Sequence, residues 1–353
     1  MPDSIFQWQM TELKKEFQLV ELPVPELKDD EALVKIAGCG VCHTDLSFWH
    51  FGVPTKHELP LTLGHEISGE VVAGPDDLLG KRVIIPAVLP CGECELCKRG
   101  RGNMCQSQLM PGNDFHGGFA SHIKVPYKYL CPVPDSVFDK FTLEELSVVA
   151  DAVTTPYQVL KKSELSEGDF AICIGVGGVG IYGALLAKIM GAKVLALDID
   201  DAKLSVAKDS GIDAVLNIKG MGIRDIKKSV KAIAKDIGAP KYMWKIIEMS
   251  GSKPGQELGF ALLNFAGTLS IVGFTLDKLE VRLSNLMAFD AKIIGTWGCK
   301  PELYPEVVDM IASGKLNISP YVETFPMSKI NEVFAGTLAH KYTKRSVLVP
   351  DFE

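Results

Sequence analysis

The sequence lacks a long apolar run: none of its 353 residues lies in a stretch approaching the roughly 18 consecutive apolar residues of a membrane-spanning helix. It also lacks a basic stripe and carries a formal net charge of −7, which argues against nucleic acid as the main partner. The first ten residues, MPDSIFQWQM, have neither the basic nor the apolar region typical of an export signal. We therefore expect a cytoplasmic protein with no membrane and no nucleic-acid partner.

The length of the chain indicates two domains, because 353 residues exceed one ordinary hydrophobic core. Before residue 150, short strand patterns at 5–10, 32–37 and 67–73 are separated by proline, glycine and acidic turns. After residue 165, strand and helix patterns alternate, and six strands in this rhythm predict a doubly wound parallel sheet. We predict an α/β protein in which a β-rich domain, 1–153 with 297–353, flanks a second domain at 154–296.

Four of the nine cysteines lie in one polar loop, PCGECELCKRGRGNMC. Cys91, Cys94 and Cys97 form two C-x-x-C steps that share the central cysteine, and Cys105 follows after seven further residues. Four thiolates at this spacing can complete a tetrahedral shell around one Zn²⁺. The alternative is four unrelated free thiols, but exposed thiols this close together would oxidise unless a metal held them. The loop therefore predicts a structural zinc site.

A second metal site is predicted from Cys42 in GCGVCHTD, His65 in Gly-His-Glu and Asp151 in Asp-Ala-Val-Thr-Thr-Pro-Tyr. Three protein ligands of mixed S, N and O type leave a fourth tetrahedral position open, which distinguishes a catalytic zinc from a structural one. Taken singly, each residue has an ordinary interpretation, since a lone buried cysteine is usually a small hydrophobic residue. The combination with the rest of the chain favours the catalytic site.

The second domain opens with an apolar strand pattern ending at Ile174 that runs into GVGGVG and then into a helix pattern. Gly175, Gly177 and Gly180 would permit a tight turn, the close approach of a pyrophosphate, and helix–strand packing. The start of the helix would offer free N–H groups to the phosphates. Asp198, eighteen residues after the last of these glycines, ends the next strand pattern and suits the adenosine ribose, which favours NAD over NADP. The alternative is that this carboxylate only caps the strand.

These features together resemble the zinc-containing medium-chain alcohol dehydrogenases over nearly the whole chain. The matching motifs are the four lobe cysteines and the segments 42–45, 64–66, 175–180 and 272–274. The resemblance implies a GroES-like catalytic domain beside a Rossmann domain with a six-stranded sheet. It also implies NAD, two zinc ions per subunit, a small-molecule substrate and a homo-oligomer, either a dimer or a tetramer.

Roles follow from the resemblance residue by residue. Cys42, His65 and Asp151 would bind the catalytic zinc, with Asp151 standing where many members have cysteine. Thr44 would accept the hydrogen bond of the substrate hydroxyl and start a proton relay. Asp45 would orient the ligand histidine, and Glu66 resembles the carboxylate that members carry beside the zinc. The residues implied to contact the cofactor are His43, Thr155, Gly175, Gly177, Gly178, Val179, Gly180, Asp198, Lys203, Val272, Gly273, Phe274 and Arg345.

Two positions depart from the family pattern. Several members carry a relay histidine where this chain has Ser47, and His50 is out of register for that role, so the final base of the relay is left open. Ala87 stands where simple alcohol dehydrogenases usually carry an aromatic residue that narrows the pocket. A small side chain at this position indicates a bulkier substrate.

Within the family, the segments 41–46, 59–69, 86–97, 110–122, 146–158 and 272–291 resemble dehydrogenases that oxidise ring-hydroxylated acyl-CoA thioesters in anaerobic aromatic degradation. This implies an acyl-CoA substrate, although no residue pattern shows a CoA site. Lys98, Arg99 and Arg101 would either meet CoA phosphates or form a solvated basic loop. Three alternatives stay open: a general secondary-alcohol or polyol dehydrogenase, a zinc hydratase acting on an enoyl thioester, and a non-enzymatic dinucleotide-binding scaffold.

Overall fold

The computed structural model describes residues 2–352 and divides the chain into two compact units. The first unit runs to Thr154 and resumes at Gly298, and the second spans Thr155–Trp297. Each junction lies one residue beyond the boundary predicted from the sequence. Each unit packs its own cluster of buried apolar side chains, as expected for a chain too long for a single core.

The first unit is built mainly from short antiparallel strands, and α1 follows its longest strand directly. Up to residue 150 its elements are β1 (Ser4–Met10), β2 (Gln18–Pro23), β3 (Glu31–Gly40), α1 (His43–Trp49), β4 (Leu61–Thr62), β5 (Glu66–Ala73), β6 (Arg82–Ile85), α2 (Glu95–Lys98), β7 (His122–Pro126) and β8 (Cys131–Pro132). β2, β1 and β4 form a three-stranded sheet in that order. The helix expected over 142–149 is a 3-10 helix over Glu145–Ala150, so it is shorter and more tightly wound.

The second unit alternates strands and helices. Its elements, in chain order, are α3 (Thr154–Lys162), β9 (Phe170–Ile174), α4 (Gly180–Ile189), β10 (Lys193–Asp198), α5 (Asp201–Asp209), β11 (Ala214–Asn217), α6 (Ile223–Asp236), β12 (Lys245–Glu248), α7 (Lys253–Leu262), β13 (Thr268–Ile271), α8 (Ser284–Phe289) and β14 (Lys292–Gly295). The six strands are all parallel and lie in the order β11-β10-β9-β12-β13-β14. β9 and β12 are buried along their whole length because helices cover both faces of a parallel sheet.

The strand order reverses between β9 and β12, the position where open α/β sheets bind their ligands.

Asp213 lies directly before β11, at the amino end of that strand. It accepts a hydrogen bond of 2.6 Å from Lys188 Nζ and one of 2.9 Å from the backbone N–H of Val194. Burial opposes ionisation of Asp213, but these donors outweigh it and lower the pKa of the carboxyl below its ordinary value.

After residue 297 the chain completes the first unit with α9 (Tyr304–Ala312), β15 (Val322–Pro326), α10 (Ile330–Leu338) and β16 (Arg345–Val349). A seven-stranded sheet then runs β15-β16-β3-β5-β6-β8, with β7 also paired to β3. Among residues 2–352, no helix combines the length and the apolar character that crossing a membrane requires.

Candidate zinc and dinucleotide sites

The antiparallel pairing of β3 with β5 places the first two predicted zinc ligands together. Gly40, at the end of β3, lies opposite Glu66, so Cys42 and His65 flank the same pair of strand ends. Asp151 joins them from the end of the 3-10 helix. One ligand atom from each of Cys42, His65, Glu66 and Asp151 lies within 4.8 Å of all the others.

The separations between these ligand atoms fit a tetrahedral zinc ion. Asp151 Oδ2 lies 3.9 Å from Cys42 Sγ and 3.7 Å from His65 Nε2. Tetrahedral zinc with these ligand types requires separations of about 3.4–3.6 Å, so a shift of a few tenths of an ångström is sufficient. The cluster is buried except for the Asp151 side chain, which is 16% exposed. The donor set and its spacing can therefore hold the ion.

Asp45 lies next to His65 Nδ1, the ring nitrogen opposite the one directed at the ligand cluster. Its Oδ1 lies 3.3 Å from His65 Nδ1, while its two oxygens accept hydrogen bonds from the backbone N–H groups of Cys42 at 2.8 Å and Gly64 at 3.1 Å. Burial disfavours protonation of His65, but the carboxylates of Asp45 and Asp151 outweigh it and raise the pKa of the imidazole. With Nδ1 facing Asp45, Nε2 is the nitrogen directed at the ligand cluster.

Glu66 forms a buried, two-point ion pair with Arg345. Arg345 Nε donates to Glu66 Oε2 at 2.9 Å and its Nη2 donates to Oε1. Burial raises the pKa of Glu66 although the guanidinium opposes this, and the same pairing keeps Arg345 charged. The sequence suggested Arg345 only as a phosphate contact. The structure places its side chain, 5% exposed, against Glu66, and a direct cofactor contact stays a prediction.

The residues that follow Cys42 occupy α1. Thr44 is half-buried, and its Oγ1 lies 3.7 Å from Cys42 Sγ, next to the ligand cluster. Ser47 donates its hydroxyl to the carbonyl of His43 at 2.9 Å, within the helix, so it does not replace the missing relay base. The exposed His43 ring lies 6.1 Å from the ring of His340.

The four lobe cysteines converge as predicted from their spacing. Their Sγ atoms are 3.5 Å apart for Cys94–Cys97 and Cys91–Cys105, 3.8 Å for Cys94–Cys105 and 3.9 Å for Cys91–Cys97. A tetrahedral Zn²⁺ with four thiolates requires about 3.8 Å between sulfurs. Backbone N–H groups of Glu93 and Cys94 lower the pKa of Cys91 to about 6, which favours the thiolate that binds metal. The donor set fits a structural zinc.

The glycine loop after β9 has the three properties expected of a dinucleotide cradle. Gly175 adopts φ +81°, a conformation that side chains disfavour. A Cβ at Gly177 would meet only Lys203 Nζ, at 3.9 Å, so this side is open to a ligand. A Cβ at Gly180 would lie 1.9 Å from the carbonyl oxygen of Gly175, which explains the close packing of helix on strand. Gly178 and Val179 complete the turn, and Val179 caps α4.

Asp198 lies at the end of β10 and is 9% exposed. Its Oδ2 accepts from Val176 N at 2.8 Å, and its Oδ1 accepts from the N–H groups of Ile199 and Asp200 at 2.7 and 3.1 Å. A carboxylate offers about four acceptor positions, so one is left for a ribose hydroxyl. The carboxylate therefore fixes the loop and keeps an acceptor position free for the ribose contact, which stays a prediction, so the two interpretations from the sequence are compatible.

The predicted cofactor residues not yet described, Thr155 and residues 272–274, belong to the second unit. Thr155 is 9% exposed in the first turn of α3, and Phe274 is 61% exposed. Val272 and Gly273 donate their N–H groups to the backbone carbonyl of Glu248, at 3.0 and 3.1 Å.

Sequence reasoning missed the side chain of Glu248, which is fully buried at the end of β12. Its Oε1 accepts hydrogen bonds from Ser250 N at 2.8 Å and Gly251 N at 3.2 Å. Burial raises the pKa of this carboxyl, although these donors act in the opposite direction. A Cβ at Gly175 would meet Ser250, so Glu248 braces the turn that supports the glycine loop. The sequence signal that could have identified Glu248 is an acidic residue at the end of an apolar strand pattern.

Comparison with known proteins gives consistent matches along the chain. Residues 28–135 match the alcohol dehydrogenase GroES-like domain family, and residues 178–313 match the zinc-binding dehydrogenase family. An alcohol dehydrogenase from Geobacillus stearothermophilus is 35% identical over 344 residues, 96% of this chain and 97% of that protein. A sorbitol dehydrogenase from Bacillus subtilis is 27% identical, covering 95% and 94%. The structure of acetophenone reductase from Geotrichum candidum in complex with NAD has a TM-score of 0.84 at 26% identity, covering 99% and 98%.

Proposed function

Because the chain belongs to the zinc-type medium-chain alcohol dehydrogenases, we propose that it oxidises a secondary alcohol at the Cys42–His65–Asp151 cluster and passes the hydride to NAD⁺. The family confirms the predicted fold class, the oxidoreductase activity and the use of zinc and NAD. The observation that carries the residue assignment is the mixed S, N and O cluster with ligand spacing, within a chain that also holds an intact glycine loop.

Bound zinc supplies a Lewis acid that makes a hydroxyl group easier to deprotonate, and bound NAD⁺ supplies the hydride acceptor. Thr44, beside Cys42, accepts the hydrogen bond of the substrate hydroxyl and takes the first position in the proton path. Asp45 keeps His65 in one tautomer and orientation, since it faces Nδ1. Arg345 neutralises Glu66, so that no unpaired carboxylate lies beside the ligands.

Cofactor selection rests on Asp198 in this proposal. A fixed carboxylate hydrogen-bonds a free ribose hydroxyl and repels a 2′-phosphate, which favours NAD. The open side of Gly177 would admit the pyrophosphate, and we assign Lys203, whose Nζ would lie 3.9 Å from a Cβ at Gly177, to the same group. We assign the remaining contacts predicted above, including His43, Thr155 and residues 272–274, to the same cofactor.

For the substrate we propose 6-hydroxycyclohex-1-ene-1-carbonyl-CoA, oxidised to the 6-oxo thioester in anaerobic benzoyl-CoA degradation. The support is the motif resemblance described above and the small, buried Ala87 at a position where an aromatic side chain would narrow a pocket. A second candidate is a general secondary-alcohol or polyol dehydrogenase, which the sorbitol- and acetophenone-active relatives favour.

The test measures NADH formation by the purified protein with the CoA thioester, cyclohexanol, 2-propanol and sorbitol. Cys42→Ala is expected to abolish oxidation, whereas Cys131→Ala, which removes a buried thiol outside both metal clusters, should retain it. Equal or faster oxidation of the free alcohols would contradict the thioester assignment and favour the second candidate. Water addition to an enoyl thioester without NAD would instead show the hydratase reaction.

We further propose that the protein is a cytoplasmic homo-oligomer whose second units pair along β14. This edge strand has exposed residues on both faces, and the neighbouring α8 buries none of its side chains. Leu283, Met287 and Ile293, three apolar residues on or beside this edge, are 66%, 79% and 39% exposed. Ile293→Lys should lower the mass measured by light scattering, and an unchanged mass would contradict pairing at this edge.

A further inference from the structure

We propose that Tyr304 is a positioning residue for the catalytic zinc, because its hydroxyl fixes the peptide group from which Asp151 projects. Tyr304 is the first residue of α9 and is separated from Asp151 by more than 150 positions in sequence. The inference rests on the proposed ligand role of Asp151, and the experiment below separates failure of the two.

The Tyr304 hydroxyl joins two backbone segments. It donates a hydrogen bond to the carbonyl oxygen of Ala150 and accepts one from the N–H of Ala87 at 3.2 Å. The same Ala87 N–H also reaches the Ala150 carbonyl, at 3.4 Å. The exposed fractions are 0% for Tyr304, 0% for Ala150 and 2% for Ala87, so water does not replace these bonds.

The Ala150 carbonyl lies where the 3-10 helix ends, and the Tyr304 hydroxyl is its donor beside the longer contact of 3.4 Å from the Ala87 N–H. Asp151 has φ −145° and ψ −57°, outside the helical region, and the last carbonyls of a helix have no partner within it. Without the Tyr304 hydroxyl this buried carbonyl would keep only that longer contact, and weakening a buried hydrogen bond costs free energy. The carbonyl of Ala150 and the Cα of Asp151 belong to one planar peptide group. Fixing the carbonyl therefore fixes the direction in which Asp151 leaves the backbone.

The tyrosine is itself held in place. Thr154 interacts with its hydroxyl, and both Thr154 and the nearby Cys299 are 0% exposed. Burial raises the pKa of Tyr304 well above its ordinary value, so the hydroxyl keeps the proton that it donates. Ala87 is also the position predicted to widen the substrate pocket. The same hydroxyl thus links the wall of that pocket to a zinc ligand.

The experiment follows zinc loss from the holoenzyme in the presence of a chelating indicator. Tyr304→Phe keeps the ring and removes only the donor, and it should weaken binding of one zinc about tenfold while the four-cysteine zinc is unchanged. Cobalt substituted at the catalytic site should show shifted visible bands, because the carboxylate ligand changes its direction. Tyr321→Phe, which removes another buried phenol hydroxyl in the same unit, should leave both readouts at the wild-type values.

Asp151→Asn provides the reference for the ligand role. If it retains wild-type affinity for both zinc ions, the ligand assignment fails and the inference falls with it. If Asp151→Asn loses one zinc but Tyr304→Phe matches the wild type in affinity and spectrum, only the inference is overturned. Should Tyr304→Phe fold poorly, Tyr304→4-aminophenylalanine retains an N–H donor and should restore zinc affinity. Loss of the zinc in that variant as well would overturn the inference.

Discussion

Removing the positive charge from the buried Glu66–Arg345 pair should destabilise the first unit strongly. Arg345→Met keeps most of the side-chain volume but leaves Glu66, 0% exposed, without its cation. Breaking a buried pair in this way costs about 3–5 kcal/mol, because the remaining charge keeps its desolvation penalty and loses its partner. Solvent screening does not reduce this figure, since Arg345 is only 5% exposed. The two hydrogen bonds lost are both charge-assisted.

Hydrogen exchange of the β3 and β5 peptides in the holoenzyme measures the loss of stability within the first unit. Global unfolding of a chain with two units does not assign a free energy to one of them. The double variant Glu66→Leu with Arg345→Met should recover most of the loss, because an apolar pair carries no buried charge. Arg82→Met is the matched control: its ion pair with Asp135 is exposed, and its loss should cost less than about 1 kcal/mol. The buried charge does not determine the stability of this unit if Arg345→Met loses no more stability than Arg82→Met. The same follows if the double variant loses as much stability as the two single variants together.

Three further outcomes are expected. Gly177→Ala should raise the KM for NAD⁺ with an unchanged melting temperature, because its Cβ would meet only Lys203 Nζ at 3.9 Å, an ordinary contact. Gly180→Ala should lower the melting temperature, because its Cβ would lie 1.9 Å from a backbone oxygen. Asp45→Asn should weaken catalytic zinc binding by about 10- to 100-fold in a chelator titration, because His65 loses the carboxylate facing Nδ1. The lowered pKa of Asp213 adds stability that is present above its unfolded pKa and is lost as the pH falls through the folded value. Asp213→Asn should therefore lower the melting temperature at neutral pH and leave a smaller decrease upon acidification.

The parts of this structure that follow from local patterns could be predicted from the sequence. Apolar runs ending at Ile174 and Asp198 correspond to β9 and β10, because strands buried on both faces of a parallel sheet carry nearly continuous apolar residues. The lobe cysteines also follow from spacing alone, since a single loop brings all four sulfurs together. The 3-10 form of Glu145–Ala150 was not predicted, because its short helical pattern does not distinguish the two windings.

Contacts between segments that are far apart in the sequence could not be predicted in the same way. Arg345 meets Glu66 across 279 positions because β16 and β5 both pair with β3, and neither residue carries a local signal of that pairing. The contact between Tyr304 and Ala150 spans 154 positions and joins a helix start to a helix end. Together with Cys42, the His65–Glu66 pair predicted a metal site, but the sequence does not say which cation balances the acid.

In the proposed zinc site, charge balance accounts for an aspartate, Asp151, at a position where the resemblance noted in the sequence implies a cysteine in many members. The thiolate of Cys42 and the carboxylate of Asp151 carry two negative charges, which match a divalent ion whether the second ligand is sulfur or oxygen. The other acids nearby are offset separately: Arg345 pairs with Glu66, and Asp45 accepts hydrogen bonds from the backbone N–H groups of Cys42, the N-cap of α1, and of Gly64. Since the neighbouring acids would add no uncompensated charge, a zinc ion held by the proposed ligands would keep its Lewis acidity for the substrate oxygen. A ligand exchange that preserves charge should therefore be better tolerated than Arg345→Met, which changes the charge beside the site without touching a ligand.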